Sequence, residues 1–350
     1  MPVTLKPLSE QVIVITGASS GIGLAAARMA ADRGARVVLV ARNGEALDEI
    51  VVGINNAGGR ATMVEADVAD DDAAERIASH AIDTFGGFDT WVNNAAAALY
   101  ARLEEVSIAE HRRVFDVGYF GLVQGSLEAA RHFKWRFKDG GAGAIINVGS
   151  VLSDRAVPVQ GAYSAMKHAV RGFTTSLRVE LEAEGAPISV TLIKPGAMDT
   201  PYPEHSRNKL GKPARVPPVV YDPRLSAKAI LFAAEHPKRN LLVGGGGLPI
   251  KLSTLMPWIA DKGMEALGEG GQTTVTPPAP GTSDNLFEER VDGRIDSNQD
   301  NKVRRQSLYL EAQLHPVAAT AIISGAVAAA AGAIAYVQKR RHSSTMAAAL

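Results

Sequence analysis

The chain has 350 residues, balances 37 Lys and Arg against 37 Asp and Glu, is 46% hydrophobic and contains no Cys. Zero net charge withholds the electrostatic footprint of a nucleic-acid binder, and the lack of Cys excludes disulfide scaffolds, Cys-ligated zinc, iron–sulfur clusters and thiol catalysis. The length allows two domains of ~150 residues each, or one α/β domain of ~250 residues with an extension, and the opening Met1–Ser20 holds only the short apolar run Val12–Ile15, too brief for the apolar core of a signal peptide.

From about Gln11 to Val243, short β-branched runs alternate with longer segments of helical periodicity, the pattern of βαβ units in a parallel sheet. Strands are predicted at Gln11–Thr16, Arg36–Ala41, Ala61–Glu65, Thr90–Asn93, Ala144–Val148, Ile188–Ile193 and Leu241–Val243. Runs such as Val37-Val38-Leu39-Val40 are apolar on both faces, as strands covered by helices on each side require. Between them, Gly23–Arg33, Asp70–Phe85 and Ala162–Glu184 space apolar residues at helical intervals with charge opposite. The expected fold is α/β, a doubly wound, Rossmann-like parallel sheet of about seven strands within residues 1–247.

Beyond Val243 the composition changes. Residues 248–267 suit an amphipathic helical extension that includes Trp258; Met256, Trp258 and Ile259 fit an apolar entrance, a membrane interface, or core or dimer packing. Residues 268–310 read as a largely irregular linker, Gly-, Thr- and Pro-rich at first, then with eleven charged residues among the twenty-three of Asp284–Gln306. Asp296, Asn298 and Asp300 carry the first spacings of a calcium loop, but Asn301 stands where Gly is needed and Ser307 where Glu is needed, so no metal site is assigned. Residues 317–337 hold no charge and just suffice to cross a ~30 Å hydrocarbon layer, although ten of the twenty-one are Ala. This is a candidate transmembrane helix, with a soluble Ala-rich helix packed on the domain as the alternative. The basic tail at 338–350 prefers the cytoplasmic side by the positive-inside rule, whereas the missing amino-terminal signal keeps the front domain there. The missing signal decides, giving an expected membrane-associated protein with a cytoplasmic catalytic domain.

The first predicted strand runs directly into Thr16-Gly17-Ala18-Ser19-Ser20-Gly21-Ile22-Gly23 and an Ala-rich helix. Glycines there let a pyrophosphate approach the backbone, and the helix start offers free N–H groups. The second strand ends in Val40-Ala41-Arg42. A free ribose 2′-OH usually finds Asp or Glu at that place; Ala41 supplies no carboxylate and Arg42 can fork onto a 2′-phosphate, so NADP(H) is favoured over NAD(H), unless Arg42 is a solvated strand-end charge. Asp67 and Val68 follow the third strand, where a loop meets an adenine edge; Asp67 also suits a helix cap.

Tyr163 and Lys167 lie one turn apart on a predicted helix and share a face. A phenol titrates near 10 in water. A neighbouring ammonium, with the positive charge of an oxidised nicotinamide, favours phenolate and fits Tyr163 for acid or base work.

Thr16–Gly23, Asp67, Asn93-Asn94-Ala95-Ala96, Ser150, Tyr163-Ser164-Ala165-Met166-Lys167, Pro195-Gly196 and Thr200 together resemble the classical short-chain dehydrogenase/reductase family over about Leu8 to Val243. The resemblance implies NAD(P)-dependent interconversion of a carbonyl and an alcohol. It implies catalytic roles for Ser150, Tyr163 and Lys167, with Ser150 orienting the carbonyl oxygen and Ser153 as a nearby competitor. Cofactor contacts are implied at Gly17, Ser19, Ser20, Gly21, Ile22, Gly23, Arg42, Asp67, Val68, Asn94, Tyr163, Lys167, Pro195, Gly196 and Thr200, and a homo-oligomer built through helices flanking the sheet. One position departs from the family pattern: Gly118 stands where an Asn is usual, and the expected result is reduced rigidity at ~1 kcal/mol relative to Ala.

Family resemblance leaves the substrate open. Met198–Pro223 suits a lid and carries His205, Arg207, Lys209, Lys212 and Arg215, a run fitted to an anionic substrate or an acidic lipid surface, or merely solvated. The leading expectation is a membrane-associated NADP(H)-dependent oxidoreductase acting on a lipophilic small-molecule carbonyl or alcohol. The alternatives are a nucleotide-binding regulatory or scaffold protein with little turnover, and a soluble carbonyl reductase.

Overall fold

The computed structural model describes residues 3–137, 141–245, 250, 253, 255–275, 283–290, 293–322 and 324. Seven strands form one parallel sheet: β1 (Val12–Thr16), β2 (Arg36–Ala41), β3 (Arg60–Glu65), β4 (Thr90–Asn93), β5 (Gly143–Val148), β6 (Ile188–Pro195) and β7 (Asn240–Val243). They lie in the order β7-β6-β5-β4-β1-β2-β3. Ile15 is paired with Leu39 on one side and Val92 on the other, which fixes the register at the centre. Between β1 and β4 the order reverses, and the crevice beyond the carboxyl ends of these strands is where α/β sheets bind ligands.

Every residue of β1 is buried. Val12 and Val14 belong to the core formed with α3 (Ala73–Phe85), α5 (Gly121–Phe137) and α6 (Gly161–Ala183). By strand alternation, Ile13 and Ile15 point to the opposite face, where α1 (Gly21–Asp32) packs on α8 (Arg224–Glu235). A chain of buried polar groups ties the sheet centre to α5 and α6: Asn93 donates to Asn147 at 2.8 Å and to Ser126 at 3.0 Å, and Asn147 donates to Thr174 at 3.0 Å. Unmet, each such buried amide would cost ~1–3 kcal/mol.

The chain divides into two compact units, Met1–Ser307 and Leu308–Leu350. In the first, the helix expected from 248 is described over Pro257–Leu267, its start set by a proline whose missing N–H costs nothing in a first helical turn. Trp258, Met256 and Ile259 are all exposed. The second unit contains the short helix Leu308–Leu314. Among the described residues no helix is long and apolar enough to cross a membrane. The candidate span 317–337 lies outside the described residues from 325 onward, as does the basic tail.

Candidate active site

The turn after β1 needs glycine for definite steric reasons. Gly17 and Gly21 have φ of 64° and 53°. A Cβ on Gly17 would sit 2.8 Å from Ala95 Cα, and one on Gly23 2.1 Å from the Gly17 carbonyl oxygen. Asn94, at the end of β4, donates its amide to the carbonyls of Thr16 and Gly17, both at 3.0 Å, while the Thr16 hydroxyl accepts from the Asn94 N–H at 3.0 Å. The ends of β1 and β4 are thereby laced together beneath the turn. Ser20 caps α1 without spending its hydroxyl on a capping bond.

One cavity of about 720 Å³ runs along this edge of the sheet. Gly17, Ser19, Ser20, Gly21, Ile22, Arg42, Asp67, Val68, Asn94, Ser150, Tyr163, Lys167, Pro195, Gly196 and Thr200 all line it. Of the expected catalytic and cofactor-binding residues, Gly23 alone lies off its wall, packed beneath the turn.

Tyr163 and Lys167 project from the first turns of α6, whose N-cap is Gln160. The Ser150 hydroxyl favours the charged form of the Tyr163 phenol and accepts from the Leu152 N–H at 3.0 Å. Ser153 is fully buried behind it and accepts from the Ser150 N–H at 3.1 Å. Lys167 Nζ donates to the Val148 carbonyl at 2.7 Å and stands 5.6 Å from the centre of the Tyr163 ring. Burial pushes the Tyr163 phenol above its ordinary pKa, with the Ser150 hydrogen bond opposing, and pushes the Lys167 amine down to about 7. Desolvation is the leading cause at both groups and disfavours the charged form of each.

Several neighbours of this centre escaped the sequence reading. The Tyr202 ring lies 5.4 Å from that of Tyr163. Its hydroxyl donates to Gln160 at 3.0 Å; Gln160 donates to Gln272 at 2.6 Å, and Gln272 to the Pro158 carbonyl at 2.7 Å. A residue beyond the extension helix thus braces the cap of the Tyr163 helix.

The second omission is larger. Residues 283–290 and 293–307, read from sequence within a linker, contribute Asn285, Glu289, Arg290 and Arg304 to the wall of the cavity that Arg42 lines. Leu286 is fully buried in a core cluster with Val68, Leu99 and Val117. Arg42 donates to the carbonyls of Asn285 at 2.6 Å and Phe287 at 3.2 Å; Arg113 donates to the Leu286 carbonyl at 2.8 Å and pairs with Asp67. Asp67 also accepts from the Ala69 N–H at 3.0 Å. Further along, the Gly21 N–H donates to the Arg294 carbonyl at 2.9 Å, and Ser297 bonds Asp199 at 2.6 Å. An apolar Leu-Phe pair inside a charged run was the one available signal of an anchor.

Two cations of the basic run, Arg207 and Lys209, are engaged by the fold. Arg207 and Lys209 both reach buried Glu110, at 3.2 and 2.8 Å, and Arg207 also reaches Asp284 at 2.9 Å. Burial alone would raise the Glu110 carboxyl; hydrogen bonds from Lys209, Ser107 and Arg207 win and hold it at about 2. These two cations hold the lid to the body, so the run as a whole is not an open anion receptor. His205 lines the cavity.

The family model described as short chain dehydrogenase matches residues 11–211. The chain is similar to the uncharacterized oxidoreductase YxnA of Bacillus subtilis (strain 168), 44% identical over 329 residues, covering 93% of this chain and 92% of that protein. It is similar to the cis-4-hydroxycyclohexanecarboxylate dehydrogenase of Sinomonas cyclohexanicum, 38% identical over 197 residues, covering 56% and 76% respectively. Its fold is similar to an alcohol dehydrogenase from Thermococcus sibiricus solved with 5-hydroxy-NADP, with TM-score 0.57 and 25% identity, covering 67% of this chain and 95% of that one. The chain belongs to the short-chain dehydrogenase/reductase family, whose members are NAD(P)-dependent oxidoreductases. The glycine turn, its Cβ-free wall and the cavity it borders fit a dinucleotide of that kind.

Proposed function

We propose that this protein is an NADP(H)-dependent oxidoreductase that interconverts a lipophilic carbonyl and its alcohol, with Tyr163 as general acid and base. The observation that carries the reading is the meeting of Ser150, Tyr163 and Lys167 on one cavity wall with the glycine turn and Arg42. Gly17, Ser19, Ser20, Gly21, Ile22, Asn94, Pro195, Gly196 and Thr200 would hold the cofactor, which would supply or accept the hydride when bound. Ser150 holds the substrate oxygen beside Tyr163, and the phenol, kept protonated by burial, delivers its proton to that oxygen as negative charge develops there. In the reverse direction Tyr163 takes the alcohol proton. Lys167 is held against the Val148 carbonyl, from where it acts on the phenol and the nucleotide. Ala41 and Arg42 support NADP(H), and the solved neighbour with an NADP derivative is in keeping with that choice.

The substrate end supports an apolar molecule: Val151, Leu152, Val157, Val216, Val219 and Met264 line it. Membrane association through 317–337 is a separate part of the proposal, supported by the uncharged stretch alone, and fractionation with and without those residues tests it. The central test is a screen of purified protein with NADPH across aldehydes and ketones, followed by cofactor absorbance. Turnover on lipophilic carbonyls that disappears in Tyr163→Phe while NADPH still binds is the expected result. Turnover that survives the substitution overturns the assignment of Tyr163.

A further inference from the structure

Three successive carbonyls of the segment 285–287 are each held by an arginine: Arg42 takes those of Asn285 and Phe287, and Arg113 takes that of Leu286. Arg42 is the group assigned above to a nucleotide 2′-phosphate, and both of its terminal nitrogens donate to this segment. Its guanidinium also faces the Asp67 carboxylate at 3.9 Å, and Glu289, which lines the same cavity, acts on it electrostatically. A bidentate phosphate contact needs two N–H groups along one edge of the fork. The phosphate and the strap carbonyls therefore draw on the same donors.

We propose that the segment 285–287 is a determinant of cofactor choice: its docked form engages Arg42, so that the 2′-phosphate of NADP(H) must compete for that guanidinium, whereas NAD(H), with no 2′-phosphate, makes no such demand. The inference rests on the reading of Arg42 as the 2′-phosphate ligand. Leu286 holds the segment in place through its full burial, and the Ser297 bond to Asp199 secures the strap further along. The strap is tied to the lid as well, because the Asn298 N–H and Arg294 both reach the buried Glu204 carboxylate, at 2.8 and 3.1 Å. Displacement at Arg42 is thereby felt at the substrate end.

Hydrogen exchange of the full chain with NADP⁺ or NAD⁺ gives the direct readout. NADP⁺ is expected to speed exchange of the amides around 285–290, and NAD⁺ to leave them unchanged. Slower exchange with NADP⁺, or the same response to both, overturns the proposal. In titrations without substrate, Leu286→Ala is expected to tighten NADP⁺ about tenfold relative to NAD⁺, the scale of one charge-assisted hydrogen bond no longer contested. Ser297→Ala loosens the strap without opening the core and is expected to shift the ratio in the same direction. A ratio unchanged in both, or NADP⁺ binding that weakens, sinks the idea. Arg42→Ala separates the two readings. If it leaves cofactor preference untouched, the 2′-phosphate assignment itself fails; if it removes the preference while the strap variants do nothing, only the competition fails.

Discussion

Met166 fills the volume that a side chain at Gly118 would occupy. A Cβ built on Gly118 would lie 2.6 Å from Met166 Cε and 2.8 Å from its Sδ. Gly118 sits in a π-helical turn, Asp116–Phe120, between α4 (Ile108–Phe115) and α5, and both it and Met166 are buried. The glycine here is a packing requirement, more than the source of slack that composition suggests. Gly118→Asn is expected to lower unfolding stability by about 1–3 kcal/mol through overpacking, at the low end if the pliable thioether yields. Urea unfolding of Gly118→Asn, Met166→Ala and the double variant should show a coupling of at least ~0.5 kcal/mol, the second change relieving the first. Strict additivity would mean the two residues do not share that space.

Lys167 makes stability depend on pH. Its folded pKa of about 7 lies below its ordinary 10.5, so between those values the unfolded chain binds the extra proton and stability rises with pH. The slope is at most ~1.4 kcal/mol per pH unit. The burial cost is fully present below pH 7 and gone above 10.5. Chemical unfolding from pH 7 to 9 should show this rise, and Lys167→Met should flatten it. An equal slope in the variant would assign the effect elsewhere.

Glu110 works in the opposite sense. Held at about 2 instead of 4.5, its carboxyl contributes stability above pH 4.5 that disappears as pH falls toward 2. Glu110→Gln is expected to cost about 1–2 kcal/mol at neutral pH and much less near pH 3, since Arg207 and Lys209 are themselves partly solvated. Acid titrations of both proteins, followed by tryptophan emission, check the convergence.

Gln272 should matter to turnover although it lies off the reacting groups. Replacing it with Ala removes the acceptor of the buried Gln160 amide, at a cost of about 1–3 kcal/mol. The cap of the Tyr163 helix loosens, and kcat should fall more than cofactor affinity. Gln272→Glu, which keeps an acceptor for Gln160 but loses the donor to the Pro158 carbonyl, should restore only part of the loss; unchanged kcat in Gln272→Ala would separate the brace from the site.

The sheet was legible because its strands are apolar on both faces and separated by turns of definite chemistry. β2 and β4 fall on their expected bounds, and β1, β3, β5 and β7 differ by one residue at the start. β6 runs two residues further, to Pro195, an imino acid that the end of a strand tolerates. The glycine turn was legible because sterics leave few alternatives to Gly17 and Gly23. The segment 285–287 was opaque for the converse reason: it is held through its backbone carbonyls by arginines far away in sequence, which leave no periodic trace. The same holds for Tyr202 and Gln272, whose roles arise only when separate loops meet. The burial of the phenol was illegible because desolvation is a property of the assembled cavity, invisible in a four-residue spacing.

The sheet is finished at Val243, yet the cleft is not. Arg42 waits 243 positions for its partner at Asn285, and the pair of Val220 with Val303 closes later still. A ribosome would release a complete Rossmann layer before its nucleotide wall existed. Shortening the chain at the last strand, where the architecture invites a cut, would remove part of the cavity wall and leave Arg42 with Asp67 but without its two carbonyl acceptors.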